Sequence, residues 1–180
     1  MKRQVIVFLT FTFIFITNCS SYPNKNPIGK KFPSVKGESL AKQEWSIPED
    51  MQGKPVLLLL GYKQQSQFDI DRWLIGIDMT KTKIKVFELP AVKGLIPQMI
   101  KPRINEGMRR GIPDELWAIV ITIYGDGDTV QKFTGNEKPN NARVILLDQT
   151  GTIRYFTDRG FSVSGLNKLR EMVDKLKEVK

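Results

Sequence analysis

The side chains that most often carry chemistry are nearly absent from this sequence. Its 180 residues include one cysteine, Cys19, and no histidine. Without histidine there is no ordinary general base near neutral pH and no imidazole ligand. Zinc sites, Ser-His-Asp triads and Cys-His pairs are thereby excluded. Without a second cysteine no disulfide can close within the chain. Ser66 has only Lys63 nearby to activate it, and it reads as the first residue of a helix rather than a nucleophile. Asp126, Gly127 and Asp128, with Glu137 at the twelfth position, have the outline of a calcium loop. Val130 and Gln131 stand where such a loop needs an oxygen ligand and a glycine, so the segment reads as a turn. No motif for a metal or a cofactor remains.

Two polar groups are left. Gln65, Gln67, Asp69, Asp71 and Arg72 crowd what reads as a helix start. Asp69 and Asp71 are not an acid–base pair, because residues two apart point to different helix faces. The segment has two readings. It is a polar recognition surface at the carboxyl end of a strand, or it is structural, with Asp69 capping the helix, Asp71 and Arg72 solvated and Trp73 in the core. Lys101, Arg103, Arg109 and Arg110 form a basic cluster around Pro102, read as a solvated face that also suits phosphate headgroups.

Cys19 sits at the end of an address. Lys2 and Arg3 precede Val5 to Ile16, an unbroken run of apolar residues and threonines. As a helix that run is about 18 Å long, too short to cross a hydrocarbon core of about 30 Å. A basic start and a short apolar stretch make a secretory leader. The run ends Ile16, Thr17, Asn18, Cys19, which resembles the bacterial lipobox, in its relaxed spirochaete form because of Asn18. That resemblance implies cleavage before Cys19 and a diacylglycerol on its sulfur. The alternative is an ordinary signal peptide with an incidental cysteine. The limits expected are a signal peptide over 1–18, a lipidated tether over 19–29, made flexible by Pro23 and Pro27, and one domain over 30–180. The formal charge of +9 falls to +7 without Lys2 and Arg3, which suits attraction to anionic membrane. An exported chain with no nucleic-acid motif has no such partner expected.

The elements that position these residues follow from apolar patterning. Val56 to Leu60 is continuously apolar between Gly53 and Gly61, the pattern of a strand buried on both faces. Ile70, Trp73, Leu74 and Ile77 mark one face of a helix. Ile84 to Leu89 is a second strand, a helix starts after Pro102, and Leu116 to Tyr124 reads as a third strand. Arg143 to Leu147 and Thr152 to Phe156 flank a turn at Asp148 to Gly151, read as a hairpin. Leu166, Leu169, Met172, Val173 and Leu176 line a last helix. Trp45, Trp73 and Trp117 are expected in the core. Alternation followed by a hairpin predicts an α/β fold of three layers, α/β/α, around a mixed sheet.

That order resembles the thioredoxin-like superfamily. Gly29, Phe32, Pro33, Gly37, Ser39, Leu40, Asp50, Gly53 and Lys54 resemble the opening of its alkyl hydroperoxide reductase and thiol-specific antioxidant branch. The resemblance puts Gln65, Ser66, Gln67 and Phe68 where the redox cysteine pair would stand. It puts Ala142 where the family has a cis-proline, and a trans bond is expected there. The run Gly61, Tyr62, Gln65, Phe68, Arg72, Trp73, with Asn141 to Asp148, also resembles distantly the mitochondrial assembly factors for the membrane sector of ATP synthase. Together these imply a lipid-anchored cell-envelope protein, in the periplasm or at the cell surface. It carries a redox-inactive domain for binding or assembling a membrane protein and is not an enzyme. The alternative is a cysteine-independent enzyme on the same fold.

Overall fold

The computed structural model describes residues 21–178; the segment 1–18 read as a signal peptide and Cys19 lie outside them. In chain order the elements are β1 (Val35–Ser39), β2 (Glu44–Ile47), β3 (Val56–Gly61), α1 (Gln67–Met79), β4 (Lys85–Pro90), α2 (Leu95–Met99), α3 (Lys101–Gly111), β5 (Ile121–Thr122), α4 (Gly127–Thr134), β6 (Arg143–Leu147), β7 (Ile153–Thr157) and α5 (Val163–Glu178).

The organising strand is β3, whose residues Leu57 to Leu60 are all 0% exposed. It pairs in parallel with β4 and antiparallel with β6, and β6 pairs antiparallel with β7. The mixed sheet therefore runs β4-β3-β6-β7. Side chains alternate along a strand, so β3 feeds two cores. Val56, Leu58 and Leu60 join Phe32, Phe87, Ile121 and Val130 of α4 on one side. Leu57 and Leu59 join Ile70 and Trp73 of α1, and Leu169 and Val173 of α5, on the other. The result is the three-layer α/β/α arrangement with a mixed central sheet that the sequence predicts.

Four local expectations are corrected. The strand expected over Leu116 to Tyr124 shrinks to Ile121–Thr122, because Asp114–Leu116 forms a 3-10 turn after Pro113. Trp117 N–H and Ile119 N–H are taken by the carbonyls of Asp114 and Leu116, which spends locally the bonds a strand would need. What remains of the segment bonds antiparallel to β1 and forms parallel bridges to β4 at Glu88–Val120 and Ala91–Ile123. The stretch read as a turn at Asp126 to Asp128 opens the helix α4, and β1 and β2 form an unforeseen antiparallel hairpin. The segment Ser21 to Pro27 is not a loose tether from Tyr22 onward. Tyr22 and Lys25 exchange backbone bonds with Asn136 and Thr134, and Gly29 N–H donates to the Ile153 carbonyl. Of the three tryptophans, only Trp73 is fully buried; Trp45 leans edge-on against Phe87, and Trp117 lies half-buried under Arg109.

The expected turn between β6 and β7 is present. Asp148 Oδ1 accepts the N–H groups of Thr150 and Thr152, its Oδ2 accepts Arg154 Nε at 2.7 Å, and Gly151 takes φ +81°. Among the described residues no helix is long and apolar enough to cross a membrane.

Trp73 is 0% exposed, with Phe161 edge-on at 5.4 Å, and its Nε1 has no acceptor. Trp73→Ala is expected to cost about 3–5 kcal/mol. Trp73→Phe keeps the ring contact and removes a donor that bonds to nothing, so it should cost less than half as much. Urea unfolding midpoints of the two variants check this ordering.

Candidate functional site

Ligands of open α/β sheets bind beyond the carboxyl ends of the strands. Here that place is the turn after β3 and the start of α1. Lys63 is extended, and Gln64–Ser66 then forms a 3-10 turn that runs straight into α1. Ser66 consequently has helical dihedral angles (φ −66°, ψ −17°) and caps nothing. Its hydroxyl is buried and donates to the Lys63 carbonyl at 2.6 Å. A Cβ on Gly61 would meet that oxygen at 2.5 Å, so the strand end must be glycine for the turn to fold back. Neither the helix-capping role nor a nucleophilic one survives for Ser66.

Asp69 is also corrected. It is 6% exposed and turned inward, away from the surface it was expected to share. Its Oδ2 accepts the N–H of Ala142 at 2.9 Å and its Oδ1 that of Phe161 at 2.8 Å. The carboxylate thus ties α1 to the start of β6 and to the loop before α5. Ala142 occupies the place where the resemblance puts a proline, and a proline would have no N–H to give. Among the described residues the only cis peptide bond is Ile47–Pro48, so the bond before Ala142 is trans, as expected.

Next along the chain, Arg143 is buried at 0% exposure. It donates to the carbonyls of Lys138, Asn141 and Gly135 at 2.6, 2.9 and 3.2 Å, and its guanidinium lies 4.6 Å from the centre of the Tyr62 ring. Burial pulls its pKa down from the ordinary value, while the charge of Asp158 counters this. Burial pushes the Tyr62 phenol up to about 12, so it stays protonated, hydrogen-bonded to Thr134. The interior of the rim is therefore filled with structural groups bonded mostly to the main chain, the buried Nε of Arg143 alone among their donors lacking an acceptor.

Its surface differs. Gln65, Gln67, Asp71 and Arg72 are exposed. Gln67 Nε2 donates to Asp71 Oδ1 at 2.9 Å and to Glu88 Oε2 at 3.4 Å. The sequence reading missed Glu88, which shares this network from β4. Its carboxyl pKa is raised from 4.5, first by burial and then by the Asp71 charge, against the bond from Gln67. It also missed an apolar stripe on the outer face of α1. Phe68 is 72% exposed, Ile75 58% and Met79 78%. The signal was present in the sequence, since these residues stand at i, i+7 and i+11, opposite the Ile70–Trp73–Ile77 face. The basic cluster is partly absorbed by structure. Lys101 pairs with Glu38 at 2.6 Å, and Arg109 Nε donates to the Leu40 carbonyl at 2.8 Å, while Arg103 and Arg110 stay exposed.

Two variants of Asp69 and one of Glu88 probe this wiring. Asp69→Ala strands one buried and one partly buried N–H group and should cost roughly 2–4 kcal/mol, well above a helix-cap loss. Asp69→Asn should cost nearly as much, because an amide presents only one acceptor oxygen to two donors. Chemical denaturation measures both, and a loss under 1 kcal/mol for Asp69→Ala would contradict the tie. For Glu88 the folded protein holds the proton more tightly than the unfolded chain. Its contribution is present at low pH and is lost as pH rises from 4.5 through the raised value. Glu88→Gln should accordingly stabilise the protein more at pH 7 than at pH 4, as read from denaturation midpoints.

No family model and no curated relative matches the chain. Solved structures do. A SCO1/SenC family lipoprotein from Bacillus anthracis is 10% identical, with a TM-score of 0.58, over 86% of this chain and 99% of that one. BsSco, described as a member of the Sco family of cytochrome c oxidase assembly proteins with a disulfide switch, is 11% identical, with a TM-score of 0.56, over 87% and 99%. A thiol peroxidase from Chromobacterium violaceum is 11% identical, with a TM-score of 0.52, over 87% and 91%. Two of these descriptions name thiol chemistry, for which the described residues of this chain offer no cysteine. A likeness at this level of identity is one of fold, and the fold of this chain is thioredoxin-like, with Gln65, Ser66, Gln67 and Phe68 filling the turn into α1.

Proposed function

We propose that this chain is a lipid-anchored cell-envelope protein whose thioredoxin-like domain, lacking the redox pair, binds a membrane-protein partner and assists its assembly. The reading rests on the outer face of α1. Its inner face is complete, with Ile70, Trp73 and Ile77 in the core, so folding does not require Phe68, Ile75 and Met79. With Arg72 they stand at spacings of four, three and four, which is one side of a helix. A Phe and a Met left more than two-thirds in water, flanked by an Arg and rimmed by Gln65, Gln67 and Asp71, have the composition of a helix-in-groove contact. An acyl anchor on Cys19 would confine the domain to the membrane and raise its effective concentration toward a membrane partner. The likeness to a lipoprotein and to a member of an assembly-protein family supports the same reading.

The test is photo-crosslinking in intact membranes from a probe at Gln65, comparing variants of the stripe. Phe68→Ser with Met79→Ser should cut the adduct at least tenfold. Stability should shift by no more than about 0.5 kcal/mol per site, because both residues are exposed. Gln67→Ala and Arg72→Ala should lower it less. An adduct of undiminished yield in the double variant would remove α1 as the binding face.

A further inference from the structure

The segment that leaves the domain toward Cys19 is bolted down almost to the cysteine itself. Tyr22 N–H donates to Asn136 Oδ1 at 2.6 Å, and Asn136 N–H returns a bond to the Tyr22 carbonyl at 2.9 Å. The Tyr22 hydroxyl donates to Asp128 Oδ1 at 2.6 Å. The ring carries two ammonium groups, Lys93 Nζ at 5.2 Å and Lys132 Nζ at 5.6 Å from its centre. Lys25 N–H donates to the Thr134 carbonyl, and its Nζ to the Lys132 carbonyl. Pro23 and Asn24 press so closely on Gly135 that a Cβ there would lie 2.3 Å from Asn24 Cα. Gly135, at φ +82°, is thus required twice, for its conformation and for this approach.

Tyr22 is three residues from Cys19. Whatever their conformation, three residues reach no more than about 11 Å. A diacylglycerol on Cys19 fixes one end of that reach at the boundary between headgroups and hydrocarbon. The polar layer on each side of a bilayer is itself roughly 5–8 Å deep. The Tyr22 end of the domain therefore lies in or against the headgroups. It offers them Lys25, Lys93 and Lys132, within about one Debye length, together with an aromatic ring of the kind enriched at that depth. Acidic groups also stand close by: Asp128, paired with Lys132 at 2.7 Å, Glu137, whose N–H donates to Asn24, Asp126 at the start of α4, and Asp158, which lines one depression with Lys25.

We propose that the face formed by Tyr22, Lys25, Lys93 and Lys132 is a membrane-docking surface that lays the domain on anionic phospholipid in one fixed orientation. The inference rests on the reading of Cys19 as acylated. The anchor is then a short rigid mount rather than a leash. The end of the sheet that follows β4, where Lys93 stands, faces the lipid, and the opposite end, where Lys83 precedes β4, faces away.

The test uses the full lipidated protein, extracted from membranes and reconstituted into vesicles of phosphatidylglycerol and phosphatidylcholine containing a nickel-chelating lipid. Spin labels are placed one at a time through Glu137→Cys, beside the proposed face, and Lys83→Cys, at the far end of the sheet; both native side chains are exposed. Nickel should enhance relaxation at position 137 at least threefold more than at 83. Tyr22→Ser combined with Asn136→Ala should collapse that difference while the label at 83 keeps its spectrum. Equal enhancement at both positions on lipidated protein overturns the docking surface and leaves the anchor standing. An N-terminal peptide whose mass carries no diacylglycerol overturns both. A gap that is unchanged on pure phosphatidylcholine in high salt overturns the role given to the lysines.

Discussion

A strand that is apolar on both faces has to be covered twice. Val56 to Leu60 places five aliphatic side chains alternately above and below the sheet, each buried. At about 1.5–3 kcal/mol for each side chain removed from water, this strand alone is worth on the order of 10 kcal/mol before chain entropy is counted. That is comparable to the whole net stability of an ordinary domain. Everything else follows from supplying the two covers. One is made by α1 and α5; the other is made by α4, Phe32 and the small sheet β2-β1-β5 beside β4. Covering β3 from both sides also brings the turn after it, the start of β6 and the loop before α5 to one rim.

At that rim the protein holds two buried charges without pairing them to each other. The Asp69 carboxylate is neutralised by two backbone N–H groups, and the Arg143 guanidinium by three backbone carbonyls and the face of Tyr62. Burying a charge is costly unless its hydrogen bonds are made; Asp69 bonds main-chain N–H groups through both oxygens, and Arg143 bonds main-chain carbonyls through Nη1 and Nη2 while its buried Nε has no acceptor. Four of the five main-chain groups they hold lie between residues 135 and 142, and the fifth is the N–H of Phe161. Alanine at 142 belongs to this arrangement, since its N–H is one of the two that Asp69 receives.

The sequence made the interior legible where periodicity was unambiguous. β3 stood out as an apolar run between glycines, α1 by its Ile70–Trp73–Ile77 face, and the β6–β7 hairpin by the Asp148 to Gly151 turn. Where an apolar run lacked a period, it misled. Leu116 to Tyr124 looked like β3, yet Pro113 and a 3-10 turn consumed its first half. α4 went unseen because it has eight residues, opens on a glycine, and carries only Val130 and Phe133 as large apolar groups. At the site, the exposed Gln65, Gln67, Asp71 and Arg72 could be found from local composition. The partners of Asp69 could not, since they stand 73 and 92 positions away. Helix-capping logic is local, and it assigned to Asp69 the nearest donors instead of the ones it binds.

Those two separations also set an order of events. The Asp69 tie joins residues from the third, fifth and last sixths of the chain, so it cannot close until most of the polypeptide is present and roughly in place. Contacts of such long range are entropically late, because the intervening loops must be closed before the bonds reward it. A chain lengthening from its N-terminus would offer Asp69 its first partner only with Ala142 and its second only with Phe161. A chain cut short before residue 161 would display α1 without one of the two bonds that seat it.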